Sequence, residues 1–260
     1  QYIKLQLINA NELYLEGTKK NFRFKELEIS KKKTTKIINA YYKKTKIILE
    51  LFDESMFDFV KKFKKKIYIK ISCSEADNVN FVIKVLKNFK KVFINFSGYK
   101  LDEIYYLLKK YEKYKKKIVI LYGFQAYPSN LYDLRLTLFD IFKKKGFDFG
   151  YSDHTFFKNK SELYLATLIS IAKGAKYIEK HVCLNQKSKP PDYITALEFD
   201  KFISYIDFTN KLFLEFNKTT CKMSKAEKIY EKNMRKFLVK NKKTLTKKYL
   251  RLSDTNQKRI

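Results

Sequence analysis

The chain has 260 residues, of which 45% are hydrophobic and 17% are aromatic, and this composition excludes an intrinsically disordered protein. Its formal net charge is +30, so it would attract an anionic ligand or a nucleic acid. Only five of its 57 basic residues are arginines, whereas recognition of bases and phosphates favours the arginine fork. We therefore interpret the many lysine runs as solvated surface and keep nucleic-acid binding as an alternative.

Strand-like and helix-like segments alternate along the chain from its first residues. Short apolar runs predict strands at 2–7, 46–51, 67–71, 92–96, 118–122, 147–150 and 176–178. Apolar residues at helical spacing predict helices at about 31–42, 53–63, 78–89, 101–111, 131–142 and 163–172. A capping-box spacing from Thr195 to Glu198 predicts that a last long helix starts there and runs through Phe213. Because no hairpin signal interrupts the alternation, we expect a parallel sheet covered by helices.

The regular strand and helix units favour an α/β fold, the (β/α)8 TIM barrel, with residues 1–226 as the barrel domain. The chain opens at Gln1, directly in a strand-like run, so we expect the first strand of the barrel to be absent. An open doubly wound sheet is the alternative. The sequence contains no GxGxxG or Walker motif, and such motifs are the commonest reason for that open form.

The two histidines, His154 and His181, each follow a predicted strand, and the segment between them has a helical period. In a right-handed crossover those two strands lie side by side, so residues past their carboxyl ends converge. With Asp153 and Glu179 beside them, the two imidazoles predict a divalent-metal site. The alternative is a pair of unrelated histidines, each satisfied by its own hydrogen bonds.

Other polar residues fall at or just beyond the carboxyl ends of the predicted strands, where barrel enzymes place their chemistry. These residues are Lys4, Gln6, Lys70, Tyr127, Ser152 and Glu179. Each also has an ordinary interpretation: a lysine at a strand end is usually solvated, and Tyr127 before Pro128 can simply shape a turn. A barrel would bring all of them to one rim.

Three motifs follow one another in the second half of the chain. They are Gly-Tyr-Ser-Asp-His-Thr at 150–155, Gly-Ala-Lys-Tyr-Ile-Glu-Lys-His at 174–181 and Lys-Pro-Pro-Asp at 189–192. In this order and spacing they resemble the sialic acid synthase family, whose members condense phosphoenolpyruvate with N-acyl sugars to make nonulosonic acids. Upstream segments are similar to further motifs of the same family, at 3–6, 52–54, 70–78 and 127–128. The resemblance covers roughly residues 1–252.

The resemblance implies roles for individual residues of a TIM barrel. His154 and His181 would hold a divalent metal, usually manganese, that polarises the aldehyde of an open-chain N-acyl hexosamine such as N-acetylmannosamine. Lys4 and Lys70 would hold the phosphate and carboxylate of phosphoenolpyruvate, and Ser152 would add a hydroxyl. Tyr127 and Glu179 would be catalytic. The remaining contacts to the substrates would come from Gln6, Gln125 and Asp192.

The resemblance also implies a product and partners. The product is a nine-carbon 2-keto sugar acid, released together with phosphate. Members of the family form homodimers in which an antifreeze-like domain covers the partner's active site, and residues 227–260 resemble the opening of that domain, so we expect its remainder to be missing. The cysteines at 73, 183 and 221 show no paired spacing, which fits a cytoplasmic enzyme. No apolar run approaches the ~20 residues that span a bilayer, so no membrane partner is expected.

The sequence departs from the family pattern near the implied phosphate. Glu50 stands where a threonine is usual, and Cys73 and Phe96 stand where serines are usual. A carboxylate that faces a phosphate costs binding energy unless it is protonated or turned away. The family's general-base glutamate lies on the strand that we expect to be absent. A degenerate, metal-binding homologue that no longer condenses phosphoenolpyruvate is therefore a further alternative.

Overall fold

The computed structural model describes residues 1–218, 222–240 and 247–251. They form two compact units, one of residues 1–216 and one of the described residues from 217 onward. The strands of the first unit are β1 Tyr2–Leu7, β2 Lys46–Leu51, β3 Ile67–Ile71, β4 Val92–Asn95, β5 Ile118–Tyr122, β6 Asp148–Asp153, β7 Tyr177–Lys180, β8 Val182–Cys183 and β9 Leu197–Glu198. Its α-helices are α1 Ala10–Leu13, α2 Lys19–Lys25, α3 Lys31–Tyr41, α4 Phe57–Lys61, α5 Val79–Asn88, α6 Leu101–Tyr111, α7 Leu138–Lys144, α8 Lys160–Ala172 and α9 Phe199–Phe216.

Strands β1 to β7 form one parallel sheet in which the spatial order of the strands equals their order in the chain. The rings of Tyr2 in β1 and Tyr177 in β7 lie 6.1 Å apart, centroid to centroid, so the sheet curls until its outer strands approach each other. Within residues 1–216, no backbone pairing joins β1 to β7. The predicted α/β class is confirmed, and the sheet resembles a TIM barrel without being a closed one.

The alternation of side chains along the strands divides the apolar residues into two layers. On the outer face of the sheet, buried residues such as Leu49, Ile69 and Ile94 pack with the helices. On the inner face, Ile48, Phe93, Val119 and Leu121 pack with three tyrosines near the strands' amino-terminal ends, namely Tyr2, Tyr68 and Tyr177. This inner apolar plug leaves the carboxyl-terminal half of the interior to polar side chains.

Helix α5 illustrates why the helices form where the sequence predicts them. The side chain of Asn78 accepts a hydrogen bond from the backbone N–H of Phe81, which caps the helix. Phe81, Val82, Val85 and Leu86 lie on one stripe and are buried. Each such side chain contributes about 1.5–3 kcal/mol on burial. The helices predicted at 31–42, 78–89 and 101–111 are confirmed to within a residue or two at each end.

The predicted start of the last long helix at Thr195 is wrong. Residues Leu197–Glu198 form β9 instead, which pairs in parallel with β8. The Thr195 hydroxyl donates to the backbone carbonyl of Asp192 rather than capping a helix. Helix α9 therefore begins at Phe199. The spacing of a capping box was present, but tertiary pairing with β8 prevailed over it.

Other boundaries also differ from the predictions. The helix expected at 53–63 is reduced to α4, and the one expected at 131–142 is a short 3-10 helix, Leu131–Asp133, followed by α7. Strand β6 continues past Gly150 to Asp153 because it stays paired with β7 over that length. As a result, Ser152 lies within a strand. None of the helices in the described ranges is long and apolar enough to cross a membrane.

The second unit contains helix α10 Lys225–Met234 and the antiparallel strands β10 Lys236–Lys240 and β11 Lys247–Arg251. Ser224 and Glu227 form a capping box at the start of α10. Assignment of residues 227–260 to an antifreeze-like domain remains a prediction. Part of the resemblance at 244–252, together with Cys221, lies outside the described residues.

Candidate active site

Four charged side chains meet inside the curled sheet and form a ring of ion pairs. The Glu50 carboxylate bridges two ammonium groups, with Oε2 at 2.6 Å from Lys4 Nζ and Oε1 at 3.0 Å from Lys70 Nζ. Glu179 Oε1 lies 2.7 Å from Lys70 Nζ and 3.3 Å from Lys4 Nζ. The side chains of Lys70 and Glu50 are only 3% and 5% exposed. The four residues come from β1, β2, β3 and β7, so the parallel sheet itself assembles the ring.

The ion pairs keep this ring charged despite its burial. Burial alone would raise the pKa of Glu50, but the ammonium groups of Lys4 and Lys70 outweigh it and hold that pKa below its ordinary value. The pKa of Glu179 is likewise lowered against burial by the same two lysines. Burial lowers the pKa of Lys4, yet the carboxylates of Glu179 and Glu50 raise it well above its ordinary range. All three groups are therefore ionised at neutral pH.

His154 and His181 lie next to each other at the same end of the sheet, with ring centroids 5.4 Å apart. His154 Nδ1 lies 3.0 Å from the backbone carbonyl of Phe124. A carbonyl oxygen can only accept, so Nδ1 carries the proton and Nε2 has a free lone pair. Burial, assisted by His181, lowers the pKa of His154 to about 4. Burial, assisted by Lys4, lowers the pKa of His181 to about 4, so both imidazoles are neutral at pH 7.

Asp153 does not join the histidines, and its predicted place in a metal site is wrong. Its side chain turns to the other face of β6, where Oδ1 lies 3.2 Å from Lys180 Nζ and accepts from the backbone and side chain of Thr155. Its Oδ2 accepts from Tyr205 in α9 at 3.3 Å, and the Tyr205 hydroxyl lies 2.6 Å from Thr167 in α8. This buried network connects β6 and β7, the strands that directly precede the two histidines, to helices α8 and α9. Alternation along β6, with Ser152 inward, sends Asp153 outward.

Tyr127 reaches the histidines from the loop after β5. Its hydroxyl lies 3.0 Å from Gln125 Oε1 and 3.4 Å from His154 Nε2. Burial and the charge of Asp192 raise the pKa of the Tyr127 phenol well above its ordinary value, so the hydroxyl stays protonated at neutral pH and donates a hydrogen bond to Gln125. Gln125 Nε2 in turn lies 3.4 Å from the hydroxyl of Ser97.

Ser152 presents an unusual hydroxyl. It is buried, it stands opposite Glu179 in the pairing of β6 with β7, and its Oγ has no hydrogen-bond partner among the described residues. Two glycines let the backbone approach this closely. A Cβ at Gly123 would lie 1.9 Å from the Ser152 carbonyl oxygen, and one at Gly150 would lie 2.6 Å from the Tyr177 carbonyl oxygen. A buried hydroxyl without a hydrogen-bond partner lowers the stability of the fold unless a ligand supplies that partner.

A cavity of 640 Å³ lies beside β1 and β7 and is lined by Lys4 and Glu179 of the ring and by His181. Lys4, Gln6, Glu179 and His181 supply its polar wall. Asp192 lies at its edge, with Oδ2 4.0 Å from His181 Nδ1, and lines a neighbouring cavity of 370 Å³ together with Tyr127. Six of the ten predicted site residues line these two cavities. The other four lie beside them: Lys70 and Ser152 next to Glu179, Gln125 next to Tyr127, and His154 next to His181.

Few side chains in this site could bind a metal ion. Within the described ranges, no three His, Cys, Asp or Glu side chains come together as a metal-binding group. His154 and His181 can supply two neutral nitrogen ligands, and the protonated Nδ1 of His154 directs its Nε2 away from the backbone. The residues present therefore fit a site in which the remaining ligands are water or substrate oxygens.

Sequence reasoning missed several features of this site. The carboxylate of Glu50 does not turn away or become neutral but pairs with both lysines, which only the register of β1, β2 and β3 reveals. Phe96 faces the helix layer, whereas Ser97 forms buried hydrogen bonds to Asn95 and to the Gly123 carbonyl. Period-two alternation from Asn95 would have pointed to Ser97. Cys73 lies in a 3-10 helix just past β3 as a free thiol.

Comparison with known proteins assigns the chain to a family. The model of the NeuB family matches residues 1–219. The chain belongs to the NeuB family. Two pseudaminic acid synthases of Campylobacter jejuni subsp. jejuni are 32% and 31% identical to it over 83 residues. That stretch is 32% of this chain and 22% of each of those proteins, so the matched segment is well under two thirds of their length.

Several solved structures are similar in fold to this chain. The N-acetylneuraminic acid (sialic acid) synthetase of Leptospira borgpetersenii superposes with a TM-score of 0.76 at 21% identity, covering 90% of this chain and 81% of that one. A putative spore coat polysaccharide biosynthesis protein E of Chromobacterium violaceum gives 0.76 at 18% identity, covering 92% and 72%. A DAHP synthase of Thermotoga maritima gives 0.64 at 16% identity, covering 82% and 60%. At these identities the likeness shows the fold alone.

Proposed function

We propose that this NeuB-family chain carries the active site of a phosphoenolpyruvate-dependent sugar acid synthase. The reaction condenses phosphoenolpyruvate with the open-chain aldehyde of an N-acyl hexosamine, giving a nine-carbon 2-keto sugar acid and phosphate. The observation that supports it most is the meeting of the half-buried Lys4, the buried Lys70, one unpartnered serine hydroxyl and two neutral histidines inside the sheet. Membership of the NeuB family points to the same chemistry.

The anion-binding half of the proposal rests on Lys4, Lys70 and Ser152. Ammonium groups at the centre of a low-dielectric interior form strong hydrogen bonds to phosphate and carboxylate oxygens. The free hydroxyl of Ser152 adds a donor beside Glu179. Tyr127, whose phenol stays protonated, and Gln6 and Gln125 would contact the sugar, and Asp192 would bind its hydroxyl groups from the rim.

The metal half of the proposal rests on His154 and His181, which would be the protein ligands of a divalent cation such as manganese. Two neutral imidazoles can supply nitrogen ligands without losing a proton. When bound, a divalent metal polarises a carbonyl oxygen as a Lewis acid. The Phe124 carbonyl that binds Nδ1 of His154 would orient this ligand, as partners of metal-bound histidines commonly do.

The chemical steps follow from this placement. Lys4 and Lys70 hold phosphoenolpyruvate, and its C3 forms a bond to the aldehyde carbon, whose oxygen takes a proton. Water then adds to C2 of the resulting oxocarbenium ion, and loss of its proton is favoured by the ionised Glu179 carboxylate. The C2–O bond to phosphate breaks, phosphate leaves with the bridging oxygen, and C2 becomes the ketone. Tyr127 stands near the histidines, where it can donate a hydrogen bond to the aldehyde oxygen.

Three further elements of the proposal concern the protein as a whole. We include an eight-stranded barrel, supported by the curl that brings Tyr2 close to Tyr177. An antifreeze-like domain from residue 227 and a homodimer are included by resemblance to the family. A cytoplasmic location is included because the cysteines at 73 and 183 are free.

The test is a turnover assay with both products measured. The chain is incubated with phosphoenolpyruvate, manganese and a panel of N-acyl hexosamines that includes N-acetylmannosamine. Phosphate is quantified, and the nine-carbon 2-keto acid is identified by mass spectrometry. We expect equal amounts of the two products, and a rate at least about 100-fold lower for Lys70→Met. Lys116→Met, at an exposed position, is the matched control. Phosphate release without the keto acid would contradict the proposal.

A second candidate is a metal-binding homologue that does not condense phosphoenolpyruvate. The pairing of Glu50 with both lysines favours it, because the proposed anion site is already neutralised by protein carboxylates. The same assay separates the two candidates. Stoichiometric manganese binding through the histidines without any keto acid would support this second candidate.

A further inference from the structure

Glu50 has the geometry of a bound anion. Its two carboxylate oxygens each contact a different lysine, at 2.6 Å from Lys4 Nζ and 3.0 Å from Lys70 Nζ. A carboxylate or phosphate ligand held by the same two lysines would use two oxygens in the same way. The Glu50 side chain is 5% exposed and comes from the strand between those of the two lysines, so it reaches them without a change of backbone.

The charges of the ring balance without any ligand. Two lysines face two glutamates, so the ring has no net charge available to attract an anion. Glu179 contacts the lysines through a single oxygen, Oε1, whereas Glu50 engages one lysine with each of its oxygens. Of the two carboxylates, Glu50 is therefore the one that occupies the bridging position.

A bound phosphate would have to share this position with a buried carboxylate. Two anions held close together in a protein interior repel each other more strongly than they would in water. An anionic ligand can take the bridging position between the two lysines only if the Glu50 carboxylate leaves it. The free energy of the ion pairs that Glu50 gives up is then subtracted from the free energy of ligand binding.

We propose that Glu50 is a built-in competitor at the anion site and sets the affinity of this chain for phosphate-bearing substrates. This inference rests on the proposed function, in which Lys4 and Lys70 hold the phosphate and carboxylate of phosphoenolpyruvate. Loss of the Glu50 charge leaves the ring with one net positive charge and frees the bridging position. The chain therefore binds an anion more tightly without Glu50 than with it.

The experiment compares Kd for inorganic phosphate and for phosphoenolpyruvate by isothermal titration calorimetry on the full chain. Glu50→Gln keeps the shape of the side chain and removes the charge. Glu50→Thr, whose branched side chain suits a strand, is measured in parallel, and circular dichroism verifies that each variant is folded. Glu112→Gln removes the same charge from an exposed position and is the matched control. The double variant Glu50→Gln/Lys70→Met tests whether any gain arises at this site.

We expect Kd for both ligands to fall by about tenfold or more in Glu50→Gln and Glu50→Thr, since each removes one buried charge from the ring. Kd should be unchanged in Glu112→Gln, and the gain should vanish in the double variant. Equal or weaker binding by both folded Glu50 variants would overturn the inference while leaving the anion site intact. If neither the wild type nor the variants bind either ligand, both the inference and the proposed anion site fail.

Discussion

The charged residues of the inner ring depend on one another for their burial. Lys70 is only 3% exposed and has two carboxylates within 3.0 Å, so removal of its charge leaves Glu50 and Glu179 facing each other with Lys4 alone. Loss of one partner from a buried ion pair is far more destabilising than replacement of the whole pair. The ring is thus a structural unit as well as a candidate binding site.

The first test at this scale concerns charge balance in the ring. We expect Lys70→Met to lower the free energy of unfolding by about 3–5 kcal/mol, because it leaves a buried carboxylate without a compensating positive charge. The double variant Glu50→Gln/Lys70→Met restores the balance and should recover part of that loss. Urea denaturation measures both. A double variant that is less stable by the sum of the two single effects would show that the residues do not interact.

The pH dependence of Glu50 provides a second test. Its pKa is lowered in the folded chain, so its contribution to the free energy of unfolding is present above the unfolded value of 4.5 and is lost as the pH falls through the folded value. The difference in stability between wild type and Glu50→Gln should stay constant from pH 7 to about pH 5.5 and shrink below about pH 4.5. Urea denaturation at a series of pH values measures it. A difference that grows on acidification would mean that the folded pKa is raised.

The histidine pair gives a third test. We expect His154→Ala and His181→Ala each to abolish stoichiometric manganese binding, because no third metal-binding side chain lies beside them in the described residues. Electron paramagnetic resonance of free manganese measures the loss. Cys73→Ala, which removes a different potential ligand near the end of β3, is the control and should bind as the wild type does. Unchanged binding in either histidine variant would exclude that residue as a ligand.

Part of the candidate site could be predicted because the two histidines directly follow the apolar runs that form β6 and β7. Lys4, Lys70 and Ser152, which lie within strands, could be predicted from the family motifs that contain them. The pairing of Glu50 with both lysines could not, since it depends on the register that sets Glu50 opposite Lys70. A one-residue shift of β2 would have turned this carboxylate to the helix layer.

At the scale of elements, a buried polar network on the outer face of the sheet holds the ends of β6 and β7, and each histidine directly follows one of these strands. Lys180 is 1% exposed and pairs with Asp153, and Tyr205 in α9 donates to the same carboxylate. Burial lowers the pKa of the Lys180 ammonium, although Asp153 opposes this effect. Since Lys180 precedes His181 and Asp153 precedes His154, the network controls how both histidines are presented.

A fourth test follows for this network. We expect Tyr205→Phe to lower the free energy of unfolding by about 1.5–3 kcal/mol, because it removes a buried hydrogen bond to the carboxyl group that pairs with Lys180. Urea denaturation measures the change. Tyr132→Phe, at a position that is 95% exposed, should have no effect. Equal stability of Tyr205→Phe and wild type would show that the hydroxyl contributes nothing to the anchoring of β6.

The order and type of the elements were predictable, whereas several boundaries were not. The seven strands of the sheet follow from short apolar runs with β-branched residues, which long-range pairing reinforces. The start of α9 was misplaced because the capping signal at Thr195 is local, while the pairing of Leu197 with Val182 is not visible in the sequence. Local signals fail where a distant segment offers a better partner for the same backbone.

At the scale of the whole molecule, the chain carries a net charge of +30, whereas the ring of ion pairs in the site carries no net charge. Among the described residues, the buried lysines Lys70 and Lys180 pair with carboxylates, whereas lysine runs such as 31–33 are exposed. Exposed lysines can raise the local concentration of an anionic substrate without binding it specifically. In the proposed function, the curled sheet supplies specificity because four of its strands bring Lys4, Glu50, Lys70 and Glu179 together. Surface charge and interior geometry thus have separate roles in the proposed function.

The most direct test of the central proposal is a crystal structure of the chain with phosphoenolpyruvate and manganese. We expect the phosphate and carboxylate oxygens of the ligand within hydrogen-bond distance of Lys4 Nζ and Lys70 Nζ, with the Glu50 carboxylate displaced from both. We also expect the metal to lie on Nε2 of His154 and on a ring nitrogen of His181. Phosphoenolpyruvate bound elsewhere, with the four-residue ring of ion pairs unchanged, would contradict the assignment of this site.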